Sequence, residues 1–166
     1  INVEINYLHQ PELVQLERTV GPAIARLNAA GFVVVVVTNQ SGIARGIYDT
    51  QAMHSVHVRL SELLEPFGAH IDDWRWCPHH PDVTGPCACR KPGTAMLEDA
   101  AAELGLDLAR SWMVGDKLLD VEAGLRAGCR AVMVTTGYGE HHQAQAPKGV
   151  AVVTSLDEAA ALITSQ

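Results

Sequence analysis

Basic side chains are scarce in this 166-residue chain: 12 Lys+Arg stand against 19 Asp+Glu, a formal net charge of −7. An acidic balance of that size argues against a partner that is itself anionic, so no nucleic acid and no membrane surface is expected as a target. No apolar run reaches the roughly 18–20 residues that span a bilayer. The first residues show neither the charged n-region nor the apolar h-region of a secretory signal. Fingerprints of the forms GxGxxG, GxxxxGK[ST] and GxSxG are all missing, which disfavours dinucleotide, P-loop and nucleophile-elbow sites. Cysteine is limited to Cys77, Cys87, Cys89 and Cys129. A secreted disulfide framework spreads its cysteines, whereas three of these fall within thirteen residues beside His79 and His80. That clustering reads as metal binding in a reducing, cytoplasmic setting. Position 1 is Ile, which is not a residue that follows a trimmed initiator Met, so the chain is expected to begin inside a longer protein.

What remains is ample for a core. Apolar residues make up 48% and charged residues 19%, as in one ordinary domain, expected over residues 1–166. Nothing in the sequence demands more than a monomer. Gly21-Pro22 opens a helical pattern over 23–30, stopped by Gly31. Residues 32–37 include five consecutive valines with no polar alternation, the pattern of a parallel strand buried on both faces. A polar loop, 38–46, follows. Asp49 or Thr50 is expected to cap a helix that carries Met53, Val56, Leu60, Leu63 and Leu64 on one face. Further strands are expected at 71–77, 111–114, 130–135 and 150–153, and further helices at 95–104, capped by Thr94, and at 118–127. A last helix ends at Ile163 and begins with a Ser155-x-x-Glu158 capping box. Strand and helix alternate, so the fold class is α/β: a Rossmann-like parallel sheet flanked by helices. Ligands bind such sheets beyond the carboxyl ends of the strands.

Four clusters carry chemistry. Cys77-x-His79 followed by Cys87-x-Cys89 supplies three thiolates and an imidazole, the donor set of a closed structural Zn²⁺ site, with His80 as a competing ligand. Thr38-Asn39-Gln40-Ser41 places hydroxyl, amide and backbone donors at a strand end, where an oxyanion can be bound. Arg90-Lys91-Pro92 presents two adjacent cations suited to phosphate. Gly115-Asp116-Lys117-x-x-Asp120 offers a hard carboxylate for Mg²⁺ at Asp116, a phosphate contact at Lys117, and at Asp120 a group to orient a metal-bound water or Lys117, or simply to favour the helix start. Other residues have plainer readings. His54 and His57 are expected at the surface or boundary, His141-His142 in solvent, Trp74, Trp76 and Trp112 in core packing, and Cys129 as a small buried hydrophobe.

Taken in order, these clusters resemble the haloacid dehalogenase-like phosphatases, and within them the heptose-bisphosphate branch related to histidinol phosphatases. The matching segments are Ile1–Glu4 with Tyr7, VVVVTNQSGIARG at 34–46, CPHHP at 77–81, CACRKP at 87–92 and SWMVGDKLLDVEAG at 111–124. The resemblance implies removal of a phosphate from a small-molecule sugar bisphosphate through an aspartyl-phosphate. Thr38, Lys91 and Arg90 would be catalytic. Substrate contacts would come from Glu4, Ile5, Asn6, Tyr7, Thr38, Asn39, Gln40, Ser41, Arg90, Lys91 and Lys117. Asp116 would hold Mg²⁺, and Cys77, His79, Cys87 and Cys89 would hold Zn²⁺.

One departure is large. The family's Asp-x-Asp-Gly-Thr motif ends a central strand just before the segment that matches Ile1–Val3, and no Asp-x-Asp occurs anywhere in this chain. Two expectations follow: a sheet interrupted where that strand would stand, with a fragment that folds poorly, and no turnover by these 166 residues alone, since nucleophilic catalysis needs the carboxylate. Two other functional readings are a histidinol-phosphate phosphatase and a catalytically dead, zinc-stabilised sugar-phosphate binding module.

Overall fold

A computed structural model describes residues 1–166. The chain divides into two compact units, Ile1–Cys87 and Ala88–Gln166, each built on its own parallel sheet.

The first unit runs α1 (Val20–Ala29), β1 (Val35–Asn39), α2 (Ser41–Ala44), α3 (Thr50–Leu64), β2 (Asp73–Cys77) and α4 (Pro81–Thr84). Strands β1 and β2 pair in parallel, with Val35 opposite Asp73 and Asn39 opposite Cys77. The α3 N-terminus forms as expected: the Asp49 carboxylate accepts from the Ala52 amide at 2.8 Å. The apolar face of α3 buries Met53, Val56, Leu60 and Leu64. Val56 and Leu60 form a cluster with Val14, against which Leu8, Leu16, Leu63 and Trp74 pack. His57 lies on this face too, buried and stacked on Trp74 with ring centroids 4.3 Å apart, so the surface position expected for it is corrected. The valine run is likewise not buried on both faces: all five residues of β1 are half-buried, and Val33 is exposed. In its sheet β1 has a single neighbour, β2.

The second unit runs α5 (Ala95–Leu104), β3 (Trp112–Gly115), α6 (Leu118–Arg126), β4 (Arg130–Val134), α7 (Gly139–His142), β5 (Ala151–Val153) and α8 (Leu156–Thr164). The sheet order is β3-β4-β5, all parallel. Strand β4 shows why a central parallel strand is apolar throughout. Ala131 and Met133 pack with Val121 of α6, while Val132 and Val134 pack with Ala159 of α8. Cys129 is buried just before β4. Two caps differ from expectation. Thr94 makes no side-chain bond at the start of α5. The Ser155 hydroxyl accepts from Glu158 N, but the Glu158 carboxylate turns to the amide of Thr154 instead of closing the box on Ser155.

The strands do not form one continuous ladder: β1-β2 and β3-β4-β5 are separate sheets, one in each unit. No helix is long and apolar enough to cross a membrane.

Candidate active site and metal-binding loop

In the first unit the polar cluster begins at the carboxyl end of β1, which carries Thr38 and Asn39. The stretch expected as plain loop is partly helical. Ser41 opens α2, and the turn is tied back by Gln40 N donating to Cys77 O at 2.8 Å and Ala44 N donating to Pro78 O at 3.2 Å. The Gln40 amide donates through Nε2 to Thr38 Oγ1 at 3.2 Å and accepts through Oε1 from the Tyr48 hydroxyl. The N-terminal stretch Glu4–Tyr7 is held by Leu8 N donating to Ile5 O at 3.2 Å and by an antiparallel bridge from Asn2 to Leu16. Glu4, Ile5 and Asn6 are exposed and Tyr7 is half-buried.

In the second unit Lys91 and Asp120 meet. Lys91 Nζ lies 2.7 Å from Asp120 Oδ1, and the side chains are only 10% and 6% exposed. The sequence suggests a metal-bound water, Lys117 or the helix start as what Asp120 serves, and not this partner, because 29 positions separate the two residues. The other oxygen of Asp120 does serve the helix start, accepting from Lys117 N at 3.1 Å. Gly115 is required beside it: a Cβ there would lie 2.3 Å from the Asp120 Cβ. Asp116, at the end of β3, accepts through Oδ2 from the Tyr138 amide at 2.8 Å. The flanking glycines let that backbone approach. Gly137 has φ +61 and a Cβ there would meet Asp116 Oδ2 at 2.4 Å, while one on Gly139 would meet Val134 O at 1.8 Å. Lys117 Nζ sits 4.0 Å above the Tyr138 ring. The segment 137–139 therefore belongs to this cluster. Its Gly-Tyr-Gly sequence was the available signal, but nothing in it names Asp116 as the group approached. Arg90 is half-buried, and its carbonyl O accepts from Gly93 N at 2.7 Å.

The loop 77–89 gathers thiols. The sulfurs of Cys77, Cys87 and Cys89 lie within 4.8 Å of one another, and Cys77 and Cys87 are 3.5 Å apart. A tetrahedral Zn²⁺ with Zn–S bonds of about 2.3 Å sets its sulfurs about 3.8 Å apart, so the donor set and its spacing fit that ion. The group that meets this distance is the three thiols; His79 is half-buried in the same loop. His80 is engaged elsewhere. Its Nε2 faces Arg45 Nη2 at 2.9 Å and its Nδ1 accepts from Asp82 N at 3.3 Å, capping α4.

Comparison with known proteins places the chain among named phosphatases. A family model described as HAD-hydrolase-like matches residues 88–159. The D-glycero-beta-D-manno-heptose-1,7-bisphosphate 7-phosphatase of Pseudomonas aeruginosa is 46% identical over 117 residues, 70% of this chain and 65% of its own length. The enzyme of that name from Bordetella bronchiseptica is 43% identical over 136 residues, 81% of this chain and 75% of its own. The chain thus spans just under two thirds of the first of these relatives and three quarters of the second. Among solved structures, the D,D-heptose 1,7-bisphosphate phosphatase of B. bronchiseptica, complexed with magnesium and phosphate, superposes with a TM-score of 0.92 at 36% identity, covering 99% of this chain and 93% of that one. That of Burkholderia thailandensis superposes with a TM-score of 0.74 at 31% identity, covering 94% and 90%. The chain belongs to the haloacid dehalogenase-like hydrolases, in the family of the heptose-1,7-bisphosphate 7-phosphatases.

Proposed function

We propose that the protein carrying this chain removes the C7 phosphate of D-glycero-D-manno-heptose 1,7-bisphosphate, acting as a monomer on a small molecule in the cytoplasm. The observation that carries the reading is the Lys91–Asp120 pair. A lysine that would serve a phosphoryl group is held in place by a buried carboxylate, which also anchors the amide next to Asp116. Lys91 and Arg90 would bind phosphoryl oxygens, and Lys117 would add a third cation. Thr38 would donate its hydroxyl to the transferring group, while Asn39, Gln40, Ser41 and the stretch Glu4–Tyr7 would contact the sugar. Asp116 suits Mg²⁺ because the Tyr138 amide fixes one carboxylate oxygen and so orients the group. The ion, when bound, would supply charge neutralisation at the phosphoryl oxygens. Cys77, Cys87 and Cys89, with His79 as fourth donor, would hold Zn²⁺ as a structural tie for the loop. The aspartyl-phosphate step needs the Asp-x-Asp pair, which none of the 166 residues provides.

The histidinol-phosphate and binding-module readings are not favoured, since the relatives are named as heptose-bisphosphate phosphatases. The test is phosphate release by the full-length protein with Mg²⁺, from the heptose bisphosphate and from histidinol phosphate side by side. We expect the heptose bisphosphate to be preferred by more than about a hundredfold in kcat/KM, and Lys91→Met to lower kcat by at least about a hundredfold. Equal turnover of the two substrates, or an unimpaired Lys91→Met enzyme, overturns the assignment. The 166-residue chain by itself is expected to release no phosphate.

A further inference from the structure

Tyr48 lies ten residues beyond Thr38, outside every cluster assigned above, yet it is built into the Thr38 loop. Its hydroxyl donates to Gln40 Oε1, and the same amide donates from Nε2 to Thr38 Oγ1 at 3.2 Å. Space has been cleared for the phenol ring: a Cβ on Gly42 would lie 2.1 Å from it. The His9 ring stacks on it, centroids 5.4 Å apart and planes 6° from parallel. His9 in turn is held by a 2.7 Å contact between its Nδ1 and the carbonyl of Tyr7.

We propose that Tyr48 is a positioning residue: by donating to Gln40 Oε1 it fixes the amide's orientation, so that Gln40 Nε2 donates to Thr38 Oγ1 and the Thr38 proton is left to donate outward, to a phosphoryl oxygen. The direction of each bond matters. An amide presents donors on one side and acceptors on the other. With Oε1 occupied by a phenol O–H, only the NH₂ group faces Thr38. If the amide turned over, Oε1 would take the Thr38 proton, and the hydroxyl would have nothing to offer an oxyanion. Burial raises the Tyr48 pKa, opposed in part by hydrogen bonding from the Gly42 backbone. The phenol therefore keeps its proton, and the donor role persists through the neutral range. His9 and Gly42 hold the ring in register, and through Tyr7 they link the N-terminal stretch to the same loop.

This inference rests on the reading of Thr38 as a phosphoryl contact, and the test separates the two. In the full-length enzyme, Tyr48→Phe keeps the stacked ring and removes only the donor. We expect kcat to fall about tenfold with KM within about twofold, the size of one hydrogen bond lost at the reacting group. Thr38→Val should lower kcat by at least about a hundredfold. Adding Tyr48→Phe to Thr38→Val should then cost less than about twofold more. A second readout does not depend on packing. A fluorinated tyrosine at 48, whose hydroxyl ionises at lower pH, should move the alkaline loss of kcat down to that pH. If Thr38→Val leaves kcat intact, the reading of Thr38 fails. If Thr38→Val collapses activity while Tyr48→Phe does nothing, or if the two losses simply multiply, or if the fluorinated enzyme keeps the parent pH profile, the role assigned to Tyr48 is overturned.

Discussion

Asp120→Asn is the substitution whose cost is best defined by the structure. It removes one negative charge without changing shape, and Asn keeps an oxygen for the Lys117 amide that Asp120 accepts from at 3.1 Å. What it takes away is the partner of a lysine 2.7 Å distant, in a place where neither side chain is more than 10% exposed. At an effective dielectric of about 20, two charges at that separation attract by about 6 kcal/mol. Desolvation of both ions offsets most of this in the intact protein, so the pair as a whole is close to neutral for stability. Breaking it is different, because the lysine stays buried while the opposite charge 2.7 Å away disappears. We expect a loss of about 3 kcal/mol. The assay is urea denaturation of the full-length protein followed by tryptophan fluorescence, with the slope of the transition as a check that the same surface unfolds. Removing the second charge as well, in Lys91→Met with Asp120→Asn, should restore more than half of the lost stability while activity stays absent. A loss under about 1 kcal/mol for Asp120→Asn, or a double variant in which the two losses add, would refute the view that these residues act as one unit.

Three other outcomes are expected. Gly137→Ala puts a Cβ 2.4 Å from Asp116 Oδ2 at a left-handed backbone position, so the Mg²⁺ concentration for half-maximal activity should rise at least about tenfold; an unchanged titration would speak against it. Burial lowers the His57 pKa from 6.5 to about 4, with the nearby His54 acting in the same direction. The unfolded chain therefore takes up the proton first, and the stability that this histidine contributes is fully present above about pH 6.5 and is lost as pH falls towards 4. A groove lined by His54, His57, Ser61, Glu62, Trp74 and Trp76 lets water reach this side of the helix, so we take about 1–2 kcal/mol for this loss. His57→Phe should flatten that stretch of the stability-versus-pH curve, and a curve of unchanged slope would dismiss the assignment. Elemental analysis should find zinc in the purified protein; Cys89→Ser should lower its content and reduce the melting temperature, whereas a metal-free protein with an unshifted melt would remove the zinc reading.

The sequence was most informative where a signal is local. Helix α5 occupies 95–104 as its pattern implied, and Asp49 caps α3 through its side chain. The three thiols that cluster along the chain also cluster in space. Legibility ended where a residue's role depends on something distant in the chain. Five valines announce a strand but not what covers it, and β1 is only half-buried. His57 sits on the apolar stripe of α3, yet its burial comes from Trp74, seventeen residues on. Four residues of α2 are too few to show a helical period, so Ser41–Ala44 read as loop. The partner of Lys91 and the donor to Asp116 are reached by chain crossings that no local pattern encodes.

The grip on Asp116 comes from a peptide N–H flanked by two positions without side chains. Its mutational profile should therefore look inverted. Residue 138, whose amide makes the contact and whose ring lies under Lys117, should reject proline above all, which has no N–H to offer. Residues 137 and 139, which make no side-chain contact at all, should accept nothing larger than glycine. A saturation library scored for activity would place the strictest constraint of this segment on its two smallest members, and a variant caller that ranks positions by side-chain contacts would overlook both.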